Sequence, residues 1–177
     1  MKSLLPCTLF LCLAVNASAL IAGPDVFGPG PVIKDYGQIA PVPDAEAIPG
    51  GMDIKLSYDV RDGGEPGAVN SVFNSAAGLL NTLVASGVEQ ERVHLALVIH
   101  GTAYKDILTD EAYGGTNPNG PLVEQLLANG VKIYYCGQAA VYRDVTKADV
   151  IAGIQFSLSA SAAHAVLQMQ GYGVRPY

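Results

Sequence analysis

The sequence predicts a single α/β domain, with a mostly parallel sheet between two helical layers and a Pro/Gly-rich arm in front of it. Three observations lead there. Short apolar runs alternate with stretches of helical periodicity, the pattern that right-handed strand–helix–strand crossovers leave in a chain. Val93–Ile99 is apolar at every position except His94, as a central parallel strand covered on both faces must be. The chain has 177 residues, 50% of them hydrophobic, which supplies one core at about 100–200 residues per domain.

Residues 1–19 read as an address label to be set aside before the fold. Lys2 provides a positive start, Leu4 to Val15 a mostly apolar run, and Ala17-Ser18-Ala19 the small-residue pattern of a cleavage site. The run is shorter than the roughly 20 residues of a membrane span, which favours a cleaved signal, placing the mature protein in the periplasm or outside the cell. Cleavage after Ala19 leaves 158 residues and removes Cys7, Cys12 and Lys2, so Cys136 is the lone mature cysteine. In an oxidising compartment a single thiol has no partner within its own chain. It is buried and inert, joined to another chain, or a working thiol.

Residues 20–51 form the arm, with six Pro and six Gly among 32 positions. Proline removes a backbone donor and pushes its predecessor to extended geometry, so no helix is expected here. Val26, Phe27, Val32, Ile33, Tyr36 and Ile39 give the segment apolar content. It either wraps the domain or a neighbouring subunit, or hangs as a mobile leader.

The domain proper, 52–177, follows. Asp53–Val60 alternates as a strand, with Ile54, Leu56, Tyr58 and Val60 on one face. Ala68–Ser86 carries Val69, Val72, Phe73, Ala76, Leu80 and Leu83 at helical spacing, and Gly87 stops it. After the strand Val93–Ile99, Pro121 opens a second helix whose stripe is Leu122, Val123, Leu126 and Leu127, closed by Asn129-Gly130. Val131–Cys136 and Ile154–Leu158 are further strands. Ser159 caps a last helix that runs to Gln170.

Composition excludes several classes. With 10 Lys+Arg against 16 Asp+Glu and a pI near 4.8, the chain lacks the basic footprint of a nucleic-acid binder and any polybasic stretch for anionic lipid. Its hydrophobicity excludes a disordered chain. Three cysteines are too few for a disulfide scaffold.

In open α/β sheets ligands bind outside the carboxyl ends of the strands. The first such loop, Arg61–Gly67, is glycine-rich, yet it has neither G-x-G-x-x-G nor a P-loop Lys-Ser/Thr, and Asp62 and Glu65 repel anions. A plain turn is expected. Cys136 ends an apolar strand and precedes a short helix starting near Gln138, where exposed N–H groups favour thiolate. The competing reading is a packed, inert cysteine. His100 ends the neighbouring strand and is the candidate base, or else a structural imidazole fixing its loop. Lys132 and Arg143 add positive charge nearby. No Cys-x-x-Cys and no G-x-S-x-G elbow occur, and His94, His100 and His164 lack metal-ligand spacing.

From about Met52 to Tyr172 the chain resembles the DsrE/DsrF-like family of sulfur-relay proteins. The resemblance rests on Val93–Gly101, on Leu122–Asn129 with Gly130-Val131, on Gly171-Tyr172 after an Ala-rich helix, and above all on Cys136-Gly137-Gln138-Ala139-Ala140-Val141-Tyr142-Arg143. It implies a flavodoxin-like three-layer domain that assembles as a homotrimer or homohexamer. It also implies that Cys136 carries persulfide sulfur between donor and acceptor proteins or small sulfane-sulfur compounds, with Arg143 as the basic residue that follows it. No organic or metal cofactor is implied. The Cys-Gly-Gln context, behind a signal peptide and arm, points to an exported subgroup. The competing expectation is a non-catalytic oligomeric binding or assembly module on the same fold.

Overall fold

A computed structural model describes residues 23–176; residues 1–19, expected to be an export signal and holding Cys7 and Cys12, lie outside the described residues. Five strands form one sheet: β1 (Ile54–Val60), β2 (Val93–Ile99), β3 (Lys132–Cys136), β4 (Gln155–Ser157) and β5 (Gly173–Pro176). Their order is β4-β3-β2-β1-β5, and every pairing is parallel.

The central strand shows why the sheet is closed on both sides. Side chains alternate along a strand, and in β2 Leu95, Leu97 and Ile99 enter the larger core while Ala96 and Val98 enter a second, smaller one. The larger core is covered by α1 (Ser71–Ala85) and α3 (Gly120–Ala128). α1 presents Val72, Phe73, Ala76, Leu80 and Leu83 at helical spacing, and Asn70 caps it by accepting from Val72 N. Each such large side chain taken from water contributes about 1.5–3 kcal/mol. Pro121 stands in the first turn of α3, where its missing N–H costs nothing. Between β2 and α3 the chain forms a 3-10 stretch, Gly101–Ile107, and a single helical turn, α2 (Asp110–Tyr113).

α4 (Gly137–Tyr142) follows β3, and its Ala140 also joins the larger core. α5 (Ala160–Met169), capped by Ser159 Oγ accepting from Ala162 N, puts Ala163 and Leu167 into the smaller one. Right-handed crossovers explain the division. The chain steps β1, β2, β3, β4 in one direction with its helices on one face. It then returns across the whole sheet to β5, so α5 must lie on the other face. The chain therefore leaves β3 toward one face and β4 toward the opposite face.

The sequence offers no strand after α5, yet Gly173–Pro176 pairs with Leu56–Asp59 of β1. A Gly-Val-Arg-Pro segment has no apolar alternation to read, and an edge position tolerates its proline. β1 is its template.

The arm is anchored to α1 by two asparagines. Asn81 is fully buried. Its Oδ1 accepts from Val32 N at 3.1 Å and Ile33 N at 2.9 Å. Its Nδ2 donates to the carbonyls of Ile33, Tyr36 and Gly37 at 2.8, 3.2 and 2.9 Å. Asn74 Oδ1 accepts from Gly37 N at 2.9 Å. Gly37 has φ +59, and a Cβ there would strike the α1 backbone at Ala77 and Gly78; only glycine allows that approach. Ile33 is buried against the larger core, and a Gly28–Ile39 antiparallel bridge closes the loop.

Candidate functional site

The carboxyl edge of the sheet carries the chemistry-bearing residues in two groups, one around Cys136 and one around Asp59. The first surrounds Cys136, the last residue of β3 and the N-cap of α4. It pairs with Ser157 of β4, so it stands where the chain leaves neighbouring strands toward opposite faces. Such a fork opens a crevice in α/β sheets. Ser157 Oγ donates to the carbonyls of Tyr135 and Ser159, fixing the turn into α5. A Cβ on Gly137 would lie 2.5 Å from the Ser157 carbonyl oxygen, so glycine is what lets α4 begin this close to β4. Cys136 is a free cysteine, 7% exposed, and belongs to neither core cluster.

Arg143 sits at the C-cap of α4. Its guanidinium lies 4.7 Å from the centroid of the Tyr104 ring and 5.6 Å from that of Tyr142, the geometry of a cation held by aromatic faces. Tyr135, next to Cys136, packs edge-on against Phe156 and buries its hydroxyl without a hydrogen-bond partner among the described residues. Burial is the main reason its pKa is pushed up to about 12; Arg143 pulls the other way, and Tyr104 and Cys136 add to the rise.

The second group lies on the α5 side. Asp59 Oδ1 is 2.9 Å from His100 Nε2 and 3.0 Å from His164 Nε2, and His164 Nδ1 is 3.2 Å from Ser57 Oγ. Ser57 and Asp59 point to this face because they alternate with Tyr58 and Val60 of the larger core. His100 therefore engages Asp59 and makes no hydrogen bond to Cys136. Among the described residues no set of three His, Cys, Asp or Glu is placed to hold a metal ion. The arrangement is a hydrogen-bonded chain.

Two amides of the Arg61–Gly67 loop are taken by side chains of the segment after β2. Gly63 N donates to Thr102 Oγ1 at 3.0 Å and Gly64 N to Asp106 Oδ2 at 2.8 Å. Asn70 Nδ2 donates to Asp106 Oδ2 and to the Asp62 carbonyl. Burial raises the Asp106 carboxyl above its ordinary value, against the opposing hydrogen bonds from Asn70 and Gly64 and the charge of Lys105. These two donors are spent on the fold.

The structure thus places Cys136 and Arg143 at the two ends of α4 and moves His100 into a separate cluster. Sequence reasoning missed Asp59, His164 and Tyr104. Two polar residues, Ser57 and Asp59, interrupting a buried strand on one face were the available signal; His164 in mid-helix offered none.

A model of the DsrE/DsrF-like family matches residues 60–174. No curated protein matches the chain. Among solved structures, a protein of unknown function from Methanobacterium thermoautotrophicum, MTH1491, superposes with a TM-score of 0.53 at 14% identity, covering 71% of this chain and all of that one. The ychN protein of E. coli gives a TM-score of 0.49 at 17% identity over 70% of this chain and 99% of its own.

Proposed function

The chain belongs to the DsrE/DsrF-like family, and from that premise we propose that it is an exported sulfur-handling protein that accepts sulfane sulfur on Cys136 as a persulfide and passes it on. The observation that carries the reading is the position of Cys136 at the fork between β3 and β4, where this class of sheet opens its ligand crevice. The chemistry balances without an oxidant. The Cys136 thiolate attacks the outer sulfur of a donor persulfide, a Cys136 S–S bond forms, and the donor S–S bond breaks with its electron pair leaving on the donor thiolate. An acceptor thiolate reverses the step, and Cys136 leaves as thiolate.

Arg143 is the positioning residue in this reading. Its charge, held between Tyr104 and Tyr142, favours an anionic sulfur at the other end of α4. Loading with polysulfide and then offering a small thiol should move one sulfur per chain from protein to thiol. A Cys136→Ser variant should move none. Equal transfer by both proteins would defeat the proposal.

A second reading, an oligomeric assembly module, is favoured by one observation. Val141 and Tyr142 of α4 and Leu158, whose carbonyl lies beside Gly137 at the start of α4, are 83, 85 and 79% exposed, and large apolar side chains left open together mark an association surface. Assembly as a homotrimer or homohexamer through this surface is compatible with sulfur carriage. Sedimentation of a Tyr142→Asp, Leu158→Asp double variant should show a smaller species than wild type; an unchanged profile would place the contact elsewhere.

A further inference from the structure

On the α5 face, a cleft of about 540 Å³ is lined by residues that include Asp59, His100, Ser161, His164, Gln168 and Val174. With both imidazoles neutral, its hydrogen bonding assigns the tautomers. A carboxylate oxygen only accepts, so both Nε2 atoms facing Asp59 Oδ1 carry hydrogen. His164 Nδ1 then accepts from the hydroxyl of the fully buried Ser57. That leaves one imidazole nitrogen in the cluster with a lone pair and no partner among the described residues, His100 Nδ1. His100 is also reachable, its side chain 25% exposed against 14% for His164. An imidazole whose far nitrogen is oriented by a carboxylate, with its near nitrogen open to a cleft, is the arrangement of a general base.

The register ties this base to Cys136. Ile99 pairs with Tyr135, and His100 N continues the neighbouring ladder by donating to the Val60 carbonyl at 2.9 Å. His100 and Cys136 are therefore the next residues at the same level on adjacent strands, which lie about 4.8 Å apart. Val98 and Tyr134, two residues earlier on each strand, both pack on the α5 side, and alternation turns His100 and Cys136 to that same face. A persulfide adds reach, because its outer sulfur lies about 2 Å beyond the cysteine sulfur.

We propose that the Asp59–His100 pair and its cleft form a thiol-binding site, in which His100 Nδ1 takes the proton of the acceptor thiol while the thiol sulfur attacks the outer sulfur of the Cys136 persulfide. This rests on the sulfur-carrier reading above. The new S–S bond forms on the acceptor, the Cys136 S–S bond breaks with its pair left on Cys136, and the imidazolium returns the proton to that thiolate. Asp59 is the positioning residue that holds the ring with Nε2 protonated.

Two measurements on the full chain separate the site from the carrier reading. In the Cys136→Ser protein, long-range proton–nitrogen NMR should show His100 with Nε2 protonated, and its Nδ1 signal should shift saturably as 2-mercaptoethanol is added. Absence of a saturable shift overturns the proposal whether or not Cys136 takes up sulfur. In the polysulfide-loaded wild-type background, His100→Ala and Asp59→Asn should load fully yet pass sulfur to an alkanethiol about 100-fold or more slowly. Both should be slowed far less with an aromatic thiol already ionised at neutral pH, and added imidazole should restore His100→Ala. Equal slowing with both thiols, or no slowing, refutes the base. A saturable shift in a protein that takes up no sulfur would defeat the carrier reading and leave the thiol site standing.

Discussion

Replacing Asn81 with alanine should release the N-terminal arm from α1. The side chain makes five hydrogen bonds, all to backbone groups of residues 32–37. At a net 0.5–1.5 kcal/mol each, roughly 2.5–7.5 kcal/mol is at stake. The arm limits the loss, because it can lift off and rehydrate instead of keeping orphaned groups buried. The expected cost is about 3 kcal/mol in urea unfolding, with new thermolysin cleavage between Val32 and Ile39 of the still-folded protein. Asn74→Ala, which removes one bond to Gly37 N, should cost about 1 kcal/mol and leave the arm protected. An Asn81→Ala protein within about 0.5 kcal/mol of wild type, with unchanged proteolysis, would refute the reasoning.

Three further outcomes follow from the same geometry. Because burial raises the Asp106 pKa above its ordinary 3.8, the native state holds this proton where the unfolded chain has lost it, and its contribution to stability falls as pH rises through that window. Asp106→Asn keeps an oxygen for Gly64 N and Asn70 Nδ2 without the charge, so in urea unfolding it should gain on wild type as pH rises above the ordinary carboxylate value of 3.8; losing ground would contradict the assignment. Tyr135, with its pKa pushed up to about 12, resists ionisation that the unfolded chain undergoes near 10, so wild type should lose stability above about pH 10. Tyr135→Phe, which removes a buried hydroxyl without a partner, should weaken that loss and cost less than about 1 kcal/mol at neutral pH; an unchanged alkaline limb would argue against it. Gly137→Ala should destabilise by about 1–3 kcal/mol, because its methyl group meets the Ser157 carbonyl, and thermal unfolding at the wild-type midpoint would show the fork to be looser than described.

The elements with strong periodicity were legible in the sequence. β2 and α1 carry their burial in their residue order, and the caps Asn129-Gly130 and Ser159 end or start helices where the structure does. β5 was not legible, since pairing with β1 and not its own pattern makes it a strand. The place of Cys136, at the end of an apolar strand and before a helix, was legible too. The partnership of His100 could not be found that way. Asp59, His100 and His164 are far apart in sequence and meet only because the return crossover lays α5 over β1 and β2. Local spacing had no means of carrying that information.

Intact-mass analysis of the folded protein after brief exposure to polysulfide addresses sulfur carriage most directly. The account predicts a gain of about 32 Da, one sulfur, that peptide mapping assigns to Cys136 and a reducing thiol reverses. A native protein whose mass does not change, and whose Cys136 also resists alkylation until unfolded, would contradict it.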